Sequence, residues 1–345
     1  MLRFVLASLT PAALLLAACL WGGLWPALAL GYMTVFVALA DRLGPEALPR
    51  IDGAEAAANR LSVVLGLAHL LLLPLGVWAI AAGPVLDGAG RVLTGLALGL
   101  FLGQVSHPNA HELIHRPARG LRRLGGAVYV TLLFGHHASA HPKVHHVHVA
   151  TDRDPNSARL GEGVYRFFLR AWIGSFRAGL RAETAARARR GGGARGLHPY
   201  AIYLGGAAAT IAVAGLLAGG RGVAVLLALC AYAQAQLLLA DYVQHYGLRR
   251  AVGPDGRAEP AGPGHSWNAP QWYSSALMLN APRHSDHHQH PGRAFPALRL
   301  DRARMPVLPR SMPVMAVIAL VPPLWRRIMD WRARAWAAGN PPPGR

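Results

Sequence analysis

Long apolar stretches alternate with polar segments along the chain. Six stretches carry almost no charge and are long enough, or nearly so, to cross about 30 Å of hydrocarbon as a helix that rises 1.5 Å per residue. They are residues 2–22, 24–41, 61–82, 91–110, 200–218 and 221–241. Short, nearly uncharged turns that contain glycine join these stretches in pairs. The pattern predicts an all-α polytopic membrane protein with about six transmembrane helices.

The remaining residues form two polar segments and a tail. The predicted order is transmembrane helices 1–4 in residues 1–110, a polar segment at 111–199, transmembrane helices 5–6 in 200–245, a polar segment at 246–330 and a disordered tail at 331–345. Two apolar runs, 126–134 and 312–324, are too short to span and predict buried or interfacial helices. Glycine and proline predict loops at 191–193 and 253–264.

Basic residues predict the orientation of the chain. The formal net charge is +19, and Lys143 is the only lysine among 35 basic residues. Fifteen of the 35 lie in 115–199 and fourteen in 248–345, so the positive-inside rule places both segments and both termini in the cytoplasm. Such a charge can indicate a nucleic-acid partner. The arginines flank apolar stretches, however, which favours membrane lipids and no nucleic acid.

Cysteine usage narrows the chemistry. Cys19 and Cys230 both lie in apolar stretches, so the sequence offers neither a disulfide framework nor a cysteine-based zinc site. Residues 16–19 are similar to a bacterial lipoprotein signal, although the apolar stretch that follows favours a retained helix.

Nine of the seventeen histidines fall in four places. They are His111 and His115; His141, His145 and His146; His245; and His284, His287 and His288. An i, i+4 pair puts two imidazoles on one helix face, and an adjacent histidine adds a third from the same turn. A metal site that takes neutral nitrogen ligands needs such an arrangement. All four places lie near the predicted cytoplasmic membrane edge, which predicts a single site.

One motif also fits another class of enzyme. His111-Glu112-Leu-Ile-His115 matches the H-E-x-x-H of zinc peptidases, in which the glutamate is the general base. A zinc site closes at four ligands, so an intramembrane zinc protease leaves the other histidines unexplained. A metal transporter or sensor is a further alternative, but its ionisable groups should lie at the membrane midplane.

The complete set of motifs is more specific. The spacing H-x3-H, H-x3-H-H, H-x2-H-H resembles the membrane fatty acid desaturase and hydroxylase superfamily. The short sequence motifs around the histidines, over about residues 104–330, resemble those of the integral-membrane alkane 1-monooxygenases. These motifs are His245-Tyr-Gly-Leu-Arg, His265-Ser-Trp-Asn268, Arg283-His-Ser-Asp-His-His-Gln-His-Pro291 and the segment from Val149 to Glu162.

The resemblance implies an enzyme with two non-haem irons held by the nine histidines. Such an enzyme uses O2 to hydroxylate the terminal carbon of n-alkanes to 1-alkanols. Its electrons come from rubredoxin with rubredoxin reductase, and its lipophilic hydrocarbon substrate comes from the bilayer. It lies in the bacterial inner membrane. A xylene-type hydrocarbon hydroxylase and a fatty acyl desaturase are the related alternatives.

Residues beside the ligands complete the prediction. Ala140 and Gln244 stand where the family usually has glutamates, which puts the substrate class in question. The residues expected to orient ligand histidines are Glu112, Asp152, Asp154, Gln244 and Asp286. Four other histidines are expected to make polar contacts or to be exposed rather than to bind metal, namely His136, His137, His148 and His290. A fifth, His265, is expected to line the site or its electron entry. A sixth, His69, is expected to be buried and hydrogen-bonded or to line a substrate path.

Overall fold

The computed structural model describes residues 1–46, 49–189 and 196–339. Within these ranges the chain is helical, with two isolated β-bridges and no strand, which confirms the predicted all-α class. The predicted loop at 191–193 and residues 340–345 lie outside the described ranges.

Twelve helices of the described residues build the fold. They are α1 (Leu2–Trp21), α2 (Trp25–Leu43), α3 (Glu55–Ala81), α4 (Gly88–Ile114), α5 (Arg119–Thr131), α6 (137–148), α7 (Val164–Arg189), α8 (Pro199–His245), α9 (Trp272–Leu277), α10 (His284–Gln289), α11 (Met312–Ala319) and α12 (Pro322–Ala337). Five of these, α1 to α4 and α8, are long and apolar enough to cross a membrane. They cover all six predicted stretches, because α8 contains two of them.

Helix α8 is a hairpin of two arms. The backbone is not helical at Ala218 (φ −155°, ψ 30°) and Gly219 (φ 57°, ψ −150°). The distance across this point shows that the chain reverses. A β-carbon on Gly215 would lie only 3.6 Å from Cγ2 of Val223, whereas eight residues of straight helix extend for about 12 Å. The first arm (199–217) and the second arm (220–245) correspond to the predicted stretches 200–218 and 221–241.

Helix α4 packs against the second arm of α8 through two glycines. A β-carbon on Gly99 would lie 2.2 Å from the Tyr232 ring, and one on Gly103 would lie 2.3 Å from Cδ of Gln236. Small residues permit such close approach between membrane helices. From the first contact to the second, the residue number increases by four in α4 and by four in α8, which shows that the two helices run in the same direction. His111 and the last residue of α8, His245, follow eight and nine residues later and therefore lie at the same level.

The C-terminal region is helical where the sequence predicts a tail. Residues 331–337 belong to α12, so the prediction of disorder from 331 is wrong for them. Met329 and Ala333 are buried on one face of α12 together with Trp325, whose ring packs against Tyr242 and Tyr246. The arginines of this segment lie at the other positions of an amphipathic helix. The short apolar runs 126–134 and 312–324 lie largely within α5, α11 and α12, and 253–264 is largely irregular.

Candidate metal centre

The structure brings all nine predicted histidines together in two groups. Within each group, one nitrogen from every histidine lies within 4.8 Å of the others. Group one consists of His111, His115, His141, His146 and His287. Group two consists of His145, His245, His284 and His288. They come from the end of α4, from α6, from the end of α8 and from α10.

The nitrogens within each group are as close as adjacent ligands of one metal ion. The distances between Nε2 atoms are 2.8 Å for His111–His141, 2.9 Å for His141–His146, 3.1 Å for His146–His287, 3.1 Å for His245–His284 and 3.1 Å for His284–His288. Two nitrogens at right angles around a metal, with bonds of about 2.1 Å, are about 3 Å apart. The spacing therefore fits one ion in each group.

The protonation of the group-one histidines also fits metal binding. Burial lowers the pKa of His115 to about 4. Burial, and then neighbouring imidazoles, lower the pKa values of His141, His146 and His287 well below the ordinary value. Nε2 of His115 and Nε2 of His145 are buried without a hydrogen-bond partner among the described residues. Neutral imidazoles with unpaired, convergent nitrogens suit a metal such as iron.

A π turn in α6 divides its three histidines between the groups. The turn covers His141–His145, and its i to i+5 hydrogen bonding adds one residue to the repeat. His141 therefore aligns with His146 in group one, and His145 turns toward group two. The sequence predicted that His141 and His145 share a face, as they do in a regular α-helix. The π turn makes that prediction wrong and gives α6 a ligand for each group.

One of the five predicted orienting residues contacts a histidine of the groups. Oδ2 of Asp154 accepts a hydrogen bond from Nδ1 of His145 at 2.9 Å, and Ser157 Oγ donates to the same oxygen at 2.7 Å. Burial alone raises the pKa of Asp154, but His145 and the hydrogen bonds hold that pKa below its ordinary value. A proton fixed on Nδ1 leaves Nε2 of His145 available to bind metal.

The prediction for Asp152 is wrong. Its side chain is 79% exposed and pairs with Arg159 and Arg249. The chain turns between Asp152 and Asp154, so only the latter points inward. Gln244 donates instead to the carbonyl of Ala281 at 3.2 Å.

Glu112 and Asp286 act on the segment after α10 rather than on the histidines of the two groups. Glu112 forms an ion pair with Arg116 and accepts the N–H of Phe295 at 3.0 Å. Asp286 forms an ion pair with Arg293 and accepts the N–H of Arg299 at 2.9 Å. Glu112 is therefore not the free carboxylate that a zinc peptidase uses as general base. The two acids hold residues 290–299 against the metal centre.

The other histidines lie outside both groups. His136 contacts Ser175 Oγ (3.3 Å), His137 stacks on His141 (ring centroids 4.9 Å apart) and His290 contacts Asp286 (3.2 Å). His148 is half-buried. His69 contacts Thr131 Oγ1 at 2.9 Å, which confirms a buried, hydrogen-bonded histidine. The His265 ring contacts Glu259, and its backbone carbonyl faces Nδ1 of His245 at 3.4 Å.

Helix α7 occupies the space beside Ala140. A β-carbon on Gly179 would lie 3.0 Å from Cβ of Ala140, so the small size of these two residues lets α7 pack closely on α6. One turn further along α7, Glu183 forms an ion pair with Lys143 and accepts a hydrogen bond from Ser139 Oγ at 2.6 Å. A carboxylate from α7 thus holds the turn of α6 that contains Ala140. Nothing in the sequence around Glu183 distinguishes it from other acidic residues of an exposed helix, so its role was not predictable from the sequence.

A cavity adjoins group one. It has a volume of about 850 Å³, its mouth included, and extends along α4 and the second arm of α8. His111, His141 and His284 lie at its metal end, and Gly103 and Gln236 lie about two helical turns away. Helix α11 covers it with Met312, Pro313 and Ala316. The cavity can hold an elongated apolar molecule with one end at the metal centre.

Comparisons with known proteins agree with this geometry. Residues 89–318 match the fatty acid desaturase family. The chain is 34% identical over 253 residues (73% of this chain and 66% of the relative) to alkane 1-monooxygenase 1 of Pseudomonas aeruginosa. It is 32% identical over 252 residues (73% and 66%) to alkane 1-monooxygenase 2 of Alcanivorax borkumensis. It is 30% identical over 325 residues (92% and 86%) to alkane 1-monooxygenase 2 of Pseudomonas aeruginosa.

The chain spans about two thirds of the length of the first two of these relatives. The matched residues contain all nine histidines of the two groups. This chain belongs to the fatty acid desaturase family, in the group of integral-membrane alkane 1-monooxygenases.

Proposed function

We propose that this protein is a membrane monooxygenase that hydroxylates the terminal carbon of an n-alkane to give a 1-alkanol. The observation that carries the proposal is the pair of histidine groups at one end of a long, mostly apolar cavity. The names of the relatives support the same activity. With one iron in each group, the centre supplies the reduction of O2, and R–H, O2, two electrons and two protons give R–OH and H2O.

The nine histidines are the proposed iron ligands, divided as groups one and two. Asp154 holds His145 with its Nε2 toward group two, and the carbonyl of His265 faces Nδ1 of His245 on the same side. Glu112 and Asp286 hold the segment 290–299 in place. These contacts fix the ligands before substrate arrives, which is what catalysis by orientation requires.

The cavity orients the substrate and keeps water from the reacting carbon. Leu237, Leu239, Met278 and Met312 supply apolar surface along its length. An alkyl chain that enters from the bilayer replaces water there, so that its terminal carbon lies beside His111 and His141. Exclusion of water prevents the loss of oxidising equivalents to side reactions.

The proposed electron donor is rubredoxin, reduced by its reductase. No flavin, haem or four-cysteine motif occurs in the sequence. Arg119, Arg122 and Arg123 are exposed at the start of α5, directly after His115. Exposed arginines close to the metal centre attract a small acidic carrier.

The proposed location is the bacterial inner membrane. The apolar helices α1 to α4 and the two arms of α8 cross it, and segments 111–199 and 246–330 cap it on the cytoplasmic side with both termini. The distribution of basic residues supports this orientation.

Activity of the purified protein tests the proposal. The iron-loaded protein in nanodiscs is supplied with rubredoxin, its reductase, NADH and either octane or hexadecane. We expect 1-alkanol, loss of activity in His288→Ala, and retained activity in the matched control His290→Ala, whose ring is half-exposed and outside both groups. An alkene formed from an acyl lipid, or activity that depends on zinc alone, would overturn the proposal.

A further inference from the structure

Two polar side chains of the cavity, away from the metal centre, have buried atoms without a hydrogen-bond partner of ordinary geometry. His107 is 3% exposed, and neither of its ring nitrogens makes a hydrogen bond of ordinary geometry among the described residues, although the carbonyl of Ala233 faces the ring. Oε1 of Gln104 is buried and equally unpaired. Both residues line the cavity. A buried polar group without a partner is costly, so the cavity is not built for an alkane alone.

Three other polar side chains along the cavity have partners. Asp241 accepts a hydrogen bond from Nδ2 of Asn156 at 2.6 Å. Gln236 donates to the carbonyl of Gly99 at 2.8 Å, and Gln244 donates to Ala281 at 3.2 Å. Nδ1 of His141 and Nδ1 of His284 also line the cavity without a partner within the described ranges, but their rings belong to the metal centre. Away from the metal centre, the buried unpaired atoms of the cavity lie on one short stretch of α4. A ligand that pairs them has its polar group at that stretch.

The helix fixes how far this polar stretch lies from the metal centre. His107 precedes His111 by four residues and Gln104 precedes it by seven. At 1.5 Å per residue they lie about 6 and 10 Å from His111 along the axis of α4. If one bound molecule has its polar group at this stretch and a carbon atom beside group one, several carbon atoms separate the two.

The atoms decide which polar group fits. A neutral imidazole has one N–H donor and one acceptor, and the amide oxygen of Gln104 is an acceptor. The carbonyl of Ala233 faces the ring, so the single N–H of neutral His107 is directed to it, and the other ring nitrogen and Oε1 of Gln104 are both acceptors. A hydroxyl group supplies the hydrogen that either acceptor needs. An ether, ester or ketone has no hydrogen to donate, and an alkane has neither function.

We propose that the substrate of this cavity is an alkyl chain that carries a hydroxyl group, bound at His107 and Gln104, with its opposite end at the metal centre. This inference rests on the proposed function, because the reaction is the same. HO–R–H, O2, two electrons and two protons give HO–R–OH and H2O, and the electrons come from the same one-electron carrier. The product is a diol.

A competition between molecules of equal size tests the inference. The iron-loaded protein in nanodiscs receives pairs of 1-octanol, nonane and 1-methoxyheptane, and the products give ratios of kcat/KM. We expect 1-octanol to be preferred about tenfold over the other two, with 1,8-octanediol as product. His107→Leu and Gln104→Leu should each lower that preference about fivefold, as the loss of one hydrogen bond predicts.

Ser106→Ala is the matched control. Its hydroxyl is also buried and unpaired on α4, but it does not line the cavity, so the preference should stay unchanged. The increase in unfolding temperature on adding each compound gives a second readout that needs no turnover, and 1-octanol should raise it most.

The outcomes separate the two proposals. If nonane is hydroxylated but 1-octanol is neither preferred nor more stabilising, or if both variants leave the preference unchanged, the polar stretch binds ordered water only and the inference is wrong. If no compound is hydroxylated, the proposed function fails, and the unfolding temperatures with and without Gln104→Leu still decide whether the cavity binds a hydroxyl group.

Discussion

Oδ2 of Asp154 lies 2.9 Å from Nδ1 of His145, and this contact joins the loop after α6 to group two. Hydrogen bonds of this kind fix the tautomer of a ligand histidine and increase its basicity. Asp154→Asn keeps the shape of the side chain and removes its charge. We expect it to lower iron affinity or activity by about 10- to 100-fold.

Metal analysis of the purified variant, together with product formation, checks this expectation. Asp152→Asn is the control, since it makes the same change two residues away on an exposed side chain. Equal iron content in the two variants, with equal activity, would mean that Asp154 has no part in metal binding.

Glu183 links the stability of the α6–α7 contact to pH. Burial alone raises the pKa of Glu183, but Lys143 and Ser139 hold that pKa below its ordinary value. A carboxylate with a lowered pKa contributes stability above the pKa it has in the unfolded chain, and this contribution is lost as the pH falls through its folded pKa. The unfolding temperature of the wild type should therefore exceed that of Glu183→Gln at pH 7.

Unfolding temperatures measured between pH 7 and pH 3 check the sign of this effect. The difference between the wild type and Glu183→Gln should shrink as the pH falls below about 4.5, the ordinary value for glutamate. A difference that grows on acidification would show that the carboxylate destabilises the folded protein.

The close approach of α4 to α8 depends on Gly99. A β-carbon there would lie 2.2 Å from the ring of Tyr232, and a rigid ring cannot fold away. Gly99→Ala should lower the free energy of unfolding by about 1–3 kcal/mol. It should also reduce metal content, because the contact aligns His111 with His245.

Gly205→Ala is the matched control, because nothing lies within 4 Å of its position on the first arm of α8. This change should leave stability equal or slightly higher, since alanine favours helix more than glycine does. Reversible unfolding in detergent measures both variants. Equal stabilities would mean that the helices separate at Gly99 without cost.

The sequence predicted where the apolar helices lie and which histidines come together. Apolar length alone located α1 to α4 and both arms of α8. The spacing of the three histidine motifs identified eight of the nine histidines that converge, and the family resemblance of its neighbours added His245. The division into two groups was not predictable, because the π turn at His141–His145 changes the helical repeat without any signal in the spacing. The choice between Asp152 and Asp154 likewise depended on a turn.

Two other features required tertiary structure. Glu183 lies 43 residues along the chain from Ala140, and only the packing of α7 on α6 brings it to Ser139 and Lys143. The role proposed for His107 depends on which polar side chains of the cavity have hydrogen-bond partners, and only the folded structure shows this. The i, i+4 spacing of His107 and His111 indicates that they share a helix face, and this spacing is the one sequence signal for His107.

The metal content of the purified protein tests the central claim most directly. Chains produced with iron and analysed by mass spectrometry should contain two irons each. His245→Ala should lose the iron of group two and retain that of group one, because its ring belongs to group two alone. A wild-type chain with a single metal ion, or with zinc in place of iron, or a His245→Ala chain that keeps both irons, would contradict the account.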